Sequence, residues 1–549
     1  MPQGSTDRSA QRSKPSYYLT SDGRVVFGRR RSRAMSVLLA LLAALIVIMM
    51  IGLAGVVVGL WQLDRTPREV AVLLRHQSFA GSATAARLAE GVADHLDAAD
   101  TLGPAVKLTI PRRLGASADR SGTMPGTTTP GTTTPGTTTP GTTTPGATTP
   151  GTTTPGATTS GGIVRMVSTV EELRNAVAAS LPRDIILLAP GHYRIEGKGL
   201  QFATIGNPDG PITLRAARLG DAVIESNVVE AFNVTGPFWR FENLVMRGVC
   251  ADHSQCEHAI HVVGGATDVV IRNDRFEDFN AQIKINGDGG DWPDRGVIEG
   301  NTLIDTAPRQ TRASIAPIDL VGASDWHVSD NVIADFARGV AGGPTYGGYF
   351  KGAGQRNVFQ RNVVLCAWKL REPQGARVGF SLGGGGTDPE LRRDRGTTGM
   401  EQVGGVIRDN LIAFCSDAGI YLNRAARSRV SHNTLIDTAG IDGRFVETSG
   451  DVFANIVDGV VRGRDGATLA GWGNVSPMLL RLFLGDHPER GYYRDPAALD
   501  LTWTEPPAFL TPDPSDTGVD LCGRQRGPMT RPGAFDDFTA CTKPAEPGK

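Results

Sequence analysis

The chain has 549 residues, of which 69 are Gly and 34 are Pro, and its 56 Lys and Arg nearly balance its 57 Asp and Glu. This length is several times that of a typical domain, so more than one segment is expected. A hydrophobic content of 40% is enough for a large core, which excludes global disorder. The net charge of −1 argues against a dedicated nucleic-acid-binding protein, because such proteins usually present a basic surface.

The N-terminal region has the pattern of a membrane anchor. Residues 1–34 contain eight Lys or Arg and two Asp, whereas residues 34–63 contain no charged side chain. We therefore predict a basic cytoplasmic tail at 1–34 and one transmembrane helix at 35–61. The apolar stretch is longer than that of a cleaved signal peptide. The expected protein crosses a bacterial-type inner membrane once, with its C-terminal part in the periplasm or outside the cell.

Two connecting segments follow the predicted helix. Residues 62–118 have an apolar and charged pattern that predicts a largely helical extracytoplasmic stalk. Residues 119–162 repeat Pro-Gly-Thr-Thr-Thr, a composition that cannot build a core. We expect this linker to hold the following domain away from the membrane, either as a semi-rigid extended spacer or as a flexible chain.

A short motif repeats in the large domain that follows the linker. Eight copies of apolar-x-apolar-x-x-Asn-x-apolar are present, with the Asn at Asn243, Asn273, Asn301, Asn331, Asn362, Asn410, Asn433 and Asn455. Repeats of 20 to 50 residues that are rich in strand-forming residues indicate a solenoid, in which an Asn in a left-handed bend bonds to its own copies. The longest spacing is about twice the shorter ones, so we expect a rung without the Asn inside it.

The predicted fold class is therefore all-β, a parallel β-helix over 163–480 with an irregular extension at 481–549. Its start, residues 167–173 (VSTVEEL), 182–193 (PRDIILLAPGHY) and 210–216 (GPITLRA), resembles the opening of polysaccharide lyases of the chondroitinase B and alginate lyase type. The resemblance implies a pectin-lyase-like fold, in which a short helix caps a right-handed parallel β-helix. This opening is shared by many β-helix proteins, so it is specific for the fold and weak for the chemistry.

A second strand in each rung carries the candidate site. It is predicted from apolar-x-apolar triplets, whose middle residues point outward if the apolar pair points inward. The predicted outward column is His261, Lys284, Asp319, Lys351, Ser381 and Tyr421. Such a column offers a groove for a linear polymer. The bland alternative is a solvated face of the solenoid.

The chemistry of acidic sugars suggests roles for these residues. β-Elimination needs a group that neutralises the carboxylate, a base for the C5 proton and an acid for the leaving oxygen. The resemblance implies a catalytic Lys and Arg about one rung apart, and residues 351–357 (KGAGQRN) resemble the segment around that Lys. We therefore predict Lys351 and Arg377 as catalytic residues. The other column residues, together with Trp292, are the predicted substrate-binding residues.

A loop with three evenly spaced carboxylates, Asp288, Asp291 and Asp294, is the candidate metal site. Clustered oxygen ligands suit Ca²⁺, although Gly/Asp loops are also ordinary turns. In the family that the chain resembles, acidic calcium ligands lie just ahead of the catalytic Lys. This chain has no Asp or Glu between Asp335 and Lys351, which puts that calcium arrangement in doubt.

The leading interpretation is a membrane-anchored lyase that cleaves an acidic, uronate-containing polysaccharide. The alternatives are a noncatalytic glycan-binding or envelope protein and a glycoside hydrolase centred on Asp319. All six cysteines follow the predicted membrane helix, which indicates disulfides. The expected local pairs are Cys250–Cys256 and Cys522–Cys541, while Cys366 and Cys415 either pair or stack in the core.

Overall fold

The computed structural model describes residues 17–19, 25–27, 37–45, 64–76, 83–120, 161–371, 375–384, 386–511, 513 and 518–542. The chain divides into two compact units, Met1–Arg65 and Thr66–Lys549. In the first unit, Tyr17–Leu19 pairs antiparallel with Val25–Phe27, and residues 37–45 are helical. Most of the predicted transmembrane helix and of the Pro-Gly-Thr linker lies outside the described residues. Within the described ranges, no helix has the length and apolar character needed to cross a membrane.

The second unit is a parallel β-helix, in which the chain winds through three long parallel sheets. Sheet 1 has twelve strands: Val164–Val167, Ile185–Leu188, Ile212–Ala216, Trp239–Glu242, Val270–Arg272, Val297–Glu299, His327–Ser329, Val358–Gln360, Val406–Arg408, Ser428–Ser431, Ser449–Phe453 and Thr468–Trp472. Sheet 2 has ten strands: Gly191–Ile195, Ala222–Ser226, Val245–Gly248, Arg275–Glu277, Thr302–Ile304, Val332–Ala334, Val363–Leu365, Leu411–Ala413, Thr434–Ile436 and Ile456–Val457. Sheet 3 has ten strands: Leu200–Phe202, Glu230–Val234, His258–Val263, Ile283–Asn286, Ile318–Val321, Thr345–Lys351, Arg377–Gly383, Ile420–Asn423, Gly440–Arg444 and Val460–Arg464.

Smaller elements complete the second unit. A three-stranded sheet contains Gly354–Gln355, Gln402–Val403 and Ala425–Ala426, and one antiparallel pair joins Tyr493–Asp495 to Asp500–Trp503. The α-helices are Pro67–His76, Ala83–Asp100, Val170–Ala178, Leu479–Phe483 and Thr539–Thr542. The 3₁₀ helices are Ala118–Arg120, His253–Gln255, Pro389–Leu391 and Pro488–Tyr492.

The interior of the solenoid is filled by the inward residues of the strands. Aromatic rings from sheets 1 and 3 stack inside it: the ring centroids of Phe350 and Phe359 lie 3.8 Å apart, and those of Phe359 and Phe380 lie 3.9 Å apart. The helix Val170–Ala178 begins after its N-cap Thr169 and packs against the first strands, with Leu173 buried in the core. This is the capping helix that the resemblance implied.

The repeated Asn forms the predicted ladder. From Asn301 to Asn474, each Asn Nδ2 donates to Oδ1 of the next Asn at 2.9 to 3.0 Å. Only Asn243 and Asn273 themselves occupy the left-handed bend. In the later rungs the preceding residue does so, as at Gly300 with φ of 67°. The prediction of the ladder is thus confirmed, but the bend usually lies one residue earlier than expected.

The described residues of the longest spacing do not form the rung without Asn that we expected there. Asn362 donates directly to Asn410 at 3.0 Å, and the strands Val358–Gln360 and Val406–Arg408 pair with each other. The additional residues form an excursion, residues 386–401, between the strands Arg377–Gly383 and Gln402–Val403. Glu401, at the end of this excursion, contacts the solenoid: the N–H of Gly352 donates to Glu401 Oε2 at 2.8 Å. The excursion therefore contacts the residue that follows Lys351.

Residues 66–120 pack along the solenoid instead of forming a separate stalk. Arg68 is buried, pairs with Asp100 at 2.9 Å and pairs with Asp437 of the solenoid at 2.8 Å. Glu69 pairs with Arg462 at 2.6 Å. The segment is helical as predicted, and it packs on the solenoid instead of standing apart from it. The segment and the solenoid belong to one unit, and the role of the linker in holding the domain away from the membrane stays a prediction.

The C-terminal extension folds back onto the outer face of sheet 2. Leu501, Phe535 and Phe538 belong to a core cluster with the outward residues of sheet 2. The buried ion pair between Arg526 and Asp409, at 2.5 Å, fastens the extension to the solenoid. Three disulfides, Cys250–Cys256, Cys366–Cys415 and Cys522–Cys541, pair all six cysteines.

Candidate functional site

Strand pairing in sheet 3 brings outward side chains of successive rungs into register. His261 pairs with Lys284, and Lys284 pairs with Asp319. The next residue in register is Tyr349, which in turn pairs with Ser381. The column continues to Tyr421 and Asp442.

The prediction that placed Lys351 in this column is wrong by two residues. Lys351 pairs with Val321 and therefore lies in the adjacent outward column. The reason is that the inward Phe350 has two outward neighbours, and sequence alternation alone does not select between them. Lys351 still lies on the same face of sheet 3 as Asp319. It is two residues further along its strand than Tyr349, the residue in register with Asp319.

Asp319 lies at the centre of the site. Its Oδ1 accepts a hydrogen bond from Lys284 Nζ at 2.8 Å, and both side chains are largely buried. Burial by itself would raise the pKa of Asp319. The charges of Lys284 and Lys351 and a hydrogen bond from Tyr349 outweigh it and hold the pKa below its usual value. The site thus contains a buried carboxylate anion between two lysines.

Lys351 is the group best suited to accept a proton. Its Nζ lies 4.4 Å from the centroid of the Tyr349 ring. Burial lowers the pKa of Lys351, and the nearby charge of Lys284 acts in the same direction, although Asp319 and Glu401 oppose the shift. At neutral pH a larger fraction of Lys351 is therefore unprotonated than of an exposed lysine, as a general base requires.

Tyr349 contacts Lys351 through its ring and Asp319 through its hydroxyl. Its hydroxyl lies 3.3 Å from Ser314 Oγ, and its ring packs edge-on against Tyr346. Burial and the adjacent Asp319 charge raise the pKa of Tyr349 well above its usual value. The phenol therefore keeps its proton and acts as a hydrogen-bond donor to Asp319.

His261 belongs to a second group at one end of the column. Its Nδ1 lies 2.8 Å from Glu230 Oε1, and its Nε2 lies 2.7 Å from Asn286 Oδ1. The His261 hydrogen bond lowers the pKa of Glu230 to about 2. The neighbouring His258 is buried, which lowers its pKa to about 4, and the charges of His261 and Lys284 contribute to that shift.

Arg377 does not meet Lys351. It is 1% exposed, and its Nη1 donates to the carbonyl oxygens of Cys366 and Leu370. In register it lies opposite Thr345, at the other end of the strand that carries Lys351. Six residues of strand separate these positions by about 20 Å. The structure therefore does not bring the two predicted catalytic residues together.

The other predicted substrate-binding residues lie in varied surroundings. Ser381 is fully buried and donates to the carbonyl oxygen of Gly383 at 2.7 Å, so its hydroxyl is not accessible to a ligand although it is in register with the column. Tyr421 is half-buried and accepts a hydrogen bond from Asn423 Nδ2 at 3.1 Å. Its place in register three rungs beyond Asp319, after Tyr349 and Ser381, agrees with the prediction.

Trp292 covers the neighbouring rung. Its ring lies so close to Gly322 that a Cβ added there would come within 1.9 Å of it. The guanidinium carbon of Arg393, from the excursion, lies 5.0 Å from the centroid of the ring. Of the two roles considered for this residue, these contacts agree with covering the solenoid better than with stacking on a sugar.

The three loop carboxylates do not form a calcium site. Asp288 and Asp291 are exposed, and their backbones form an antiparallel bridge. Asp294 accepts hydrogen bonds from Ser324 N at 2.8 Å and from Arg393. Among the described residues, the only three His, Cys, Asp or Glu side chains with ligand atoms within 4.8 Å of one another are those of Glu230, His258 and His261.

Several residues of this face escaped the sequence reasoning. Tyr349 occupies the place in the column that the alternation predicts for Lys351, two residues further on, and Glu230 begins the strand of sheet 3 that precedes the strand of His261. Glu401 arrives from the excursion, which local patterns cannot place. Asp417 precedes the strand of Tyr421, and burial together with the charge of Glu69 raises its pKa to about 6.

Comparisons with known proteins give distant structural likenesses only. Neither a protein-family model nor a curated protein matches the sequence. The chain is similar to pectate lyase Pel9A, with 14% identity, coverage of 66% of this chain and 90% of that chain, and a TM-score of 0.43. It is also similar to an alginate lyase from Paenibacillus sp. str. FPU-7, with 16% identity, coverage of 57% and 99%, and a TM-score of 0.33. It is similar as well to a GH136 lacto-N-biosidase from Eubacterium ramulus, with 12% identity, coverage of 54% of this chain and 62% of that chain, and a TM-score of 0.37. At these scores the likenesses carry no argument about chemistry.

Proposed function

We propose that the protein is a polysaccharide lyase that cleaves a uronate-containing polymer by β-elimination on the outward face of sheet 3. The observation that carries the proposal is the arrangement of Lys284, Asp319 and Lys351. It places the ammonium of Lys284 and the amine of Lys351, whose pKa is lowered by burial, beside one buried carboxylate. Such a site supplies a cation for the uronate carboxylate and a base for the C5 proton, both of which elimination from a uronate needs.

The proposed reaction divides the work between the two lysines. The ammonium of Lys284 neutralises the uronate carboxylate, which makes the C5 proton more acidic. The neutral amine of Lys351 takes that proton, a C4–C5 double bond forms, and the C4–O bond breaks. The proton then passes from Lys351 or from water to the leaving oxygen. Asp319 contacts no reacting atom and serves to hold Lys284 in place.

A hydrolase centred on Asp319 has less support. A glycoside hydrolase needs one carboxylic acid with a raised pKa, and a second carboxylate that is free to act as base or nucleophile. The pKa of Asp319 is lowered, and its carboxylate already accepts hydrogen bonds from Lys284 and Tyr349. The proposal also does not require Ca²⁺, because the ammonium of Lys284 supplies the positive charge that neutralises the uronate carboxylate.

We also propose that the chain is anchored in a membrane by its N-terminal apolar segment and that the solenoid lies on the extracytoplasmic side. The uncharged stretch at 34–63 and the cations before it support this topology. The three disulfides support an oxidising compartment. Cysteine-modifying labels applied from either side of intact vesicles, with single cysteines introduced before and after the segment, test the orientation.

Incubation of the full-length chain with alginate, chondroitin or pectate tests the activity. A lyase produces a conjugated double bond that absorbs in the ultraviolet. A rise in absorbance with at least one polymer supports the proposal. New reducing ends without this absorbance favour hydrolysis, and polymer binding without either product favours a noncatalytic glycan-binding protein.

A further inference from the structure

Three side chains at one end of sheet 3 converge although they come from two different rungs. Glu230 lies opposite His258 in the strand register, and His261 follows on the strand of His258. The rings of the two histidines have centroids 5.2 Å apart. One ligand atom from each of the three side chains lies within 4.8 Å of the other two.

An irregularity in the backbone explains why both histidines face outward. In a regular strand, residues three apart point to opposite faces. Here the N–H groups of Ala259 and Ile260 both donate to the carbonyl oxygen of Gln282, at 3.2 and 3.1 Å, which is the pattern of a β-bulge. Bulges turn side chains from their regular alternation and occur often beside functional sites.

The hydrogen bonds of His261 leave an acceptor pair facing each other. Asn286 Nδ2 donates to the carbonyl oxygen of Gly287 at 3.0 Å, which orients Oδ1 toward His261 Nε2. His261 Nε2 is therefore a donor. In the neutral ring Nδ1 then carries a lone pair, and it lies 2.8 Å from a carboxylate oxygen of Glu230. Either a second ring proton or a bound cation satisfies this pair.

Each of the three side chains is also held by a partner behind it. His258 Nδ1 lies 3.2 Å from the carbonyl oxygen of Ala281, so Nδ1 carries the proton and Nε2, 3.9 Å from Glu257 Oε2, carries the lone pair that binds a ligand. Glu230 Oε2 accepts from Asn233 Nδ2 at 2.9 Å. Histidines and carboxylates that bind metals are usually oriented in this way by hydrogen bonds to outer groups.

We propose that Glu230, His258 and His261 form a binding site for a divalent transition metal of the zinc type. Two imidazoles and one carboxylate suit Zn²⁺, whereas Ca²⁺ prefers oxygen ligands alone. Three protein ligands leave a fourth position for water or a ligand oxygen. The side chains of His258 and His261 are each 13% exposed and that of Glu230 is 32% exposed, so the site is reachable from solvent. The proposal does not depend on the lyase activity.

Zinc titration of the untagged, full-length chain, stripped with a chelator and measured against a chromophoric competitor, tests this site. We expect one zinc per chain. We expect Asn233→Ala, which removes only an outer partner, to weaken binding by about 10- to 100-fold, and His258→Ala or Glu230→Gln to weaken it further. His253→Ala is the matched control, because His253 lies five residues away and bonds instead to Gln310 N.

The proposal is overturned if the stripped chain takes up no zinc, in which case Glu230 and His261 form only an ion pair. It is also overturned if His258→Ala binds zinc as the natural chain does, or if His253→Ala loses binding equally. Thermal unfolding of each variant shows that it is folded. The visible spectrum of the cobalt-loaded chain gives an independent readout, since Glu230→Gln preserves the size of the side chain but must change that spectrum. Failure here leaves the lyase proposal intact, because Lys351 is not a ligand.

Discussion

Lys284 Nζ donates to Asp319 Oδ1 at 2.8 Å between adjacent rungs of sheet 3. The pair is desolvated, with 19% and 6% of the two side chains exposed. Desolvated charges depend on each other, because removal of one leaves the other buried without a counter-charge. This pair therefore organises the site, and it also contributes to the stability of the rungs on which it lies.

Asp319→Asn tests the structural weight of the pair. We expect a loss of about 3–5 kcal/mol in the free energy of unfolding, because Lys284 and Lys351 lose their shared anion. Asp325→Asn is the matched control: Asp325 pairs with Arg356 at 2.7 Å in an exposed position, where such pairs contribute under about 1 kcal/mol. Equal losses in the two variants, measured by chemical denaturation, would contradict the account.

The pH dependence of stability gives a second test of Asp319. Its pKa is lower in the folded protein than in the unfolded chain, so the ionised carboxylate stabilises the fold above its unfolded value of about 3.9. That contribution is lost as the pH falls through the folded value. The difference in melting temperature between the natural chain and Asp319→Asn should consequently be largest near neutral pH and shrink in acid. A constant difference across this range would contradict the assignment.

Replacement of Lys351 tests the base. We expect Lys351→Ala to lower kcat by about 10²- to 10⁴-fold on any polymer that the natural chain cleaves. Lys351→Arg should not restore activity, because the guanidinium stays protonated. Lys369→Ala is the matched control, since Lys369 Nζ also lies over an aromatic ring, 4.6 Å from the centroid of Trp368, but Lys369 belongs to the turn before the strand Arg377–Gly383 and not to a sheet 3 strand. Full activity of Lys351→Ala would remove Lys351 from the mechanism.

The Asn ladder is the source of a further stability prediction. Asn362 accepts from Asn331 Nδ2 at 2.9 Å and donates to Asn410 Oδ1 at 3.0 Å, all inside the solenoid. Asn362→Ala leaves buried groups unsatisfied, and each costs about 1–3 kcal/mol. Asn474→Ala, at the half-buried end of the ladder, should cost less. We therefore expect Asn362→Ala to have a lower melting temperature than Asn474→Ala at the same pH. Equal melting temperatures would contradict the prediction.

Arg68 tests whether residues 66–120 belong to the solenoid. Arg68→Ala leaves Asp100 and Asp437 buried without their partner, and we expect a loss of about 3–5 kcal/mol. Arg75→Ala removes ion pairs to exposed carboxylates of Glu90 and Asp94, and should cost under about 1 kcal/mol. If Arg68→Ala were as mild as Arg75→Ala, the packing of this segment would be in question.

The fold could be predicted from the sequence because the repeats that specify it are local. The recurring Asn and the alternation in strands predict a parallel β-helix without any long-range information. The same alternation placed His261, Lys284 and Asp319 in one column, which the strand pairing confirms. Neighbouring rungs follow one another in the chain, so contacts along the column were predictable.

The remaining features depend on contacts that local patterns do not encode. The prediction of the position of Lys351 was wrong because both outward neighbours of Phe350, Tyr349 and Lys351, fit the alternation. His258 was missed in the column because a bulge changes its direction. The buried place of Arg377 depends on the carbonyl oxygens of Cys366 and Leu370, in a preceding turn. Arg68 reaches Asp437 across hundreds of residues, a contact that only the folded chain reveals.

The most direct test of the central claim is the ratio of unsaturated ends to new reducing ends, measured on one sample of uronate polymer treated with the full-length chain. Elimination forms one unsaturated end for each new reducing end, so the account predicts a ratio of about one from the natural chain. Lys351→Ala should form both products more slowly by about 10²- to 10⁴-fold, while Lys369→Ala should give the natural ratio and rate. Reducing ends without unsaturated ends would contradict the lyase proposal.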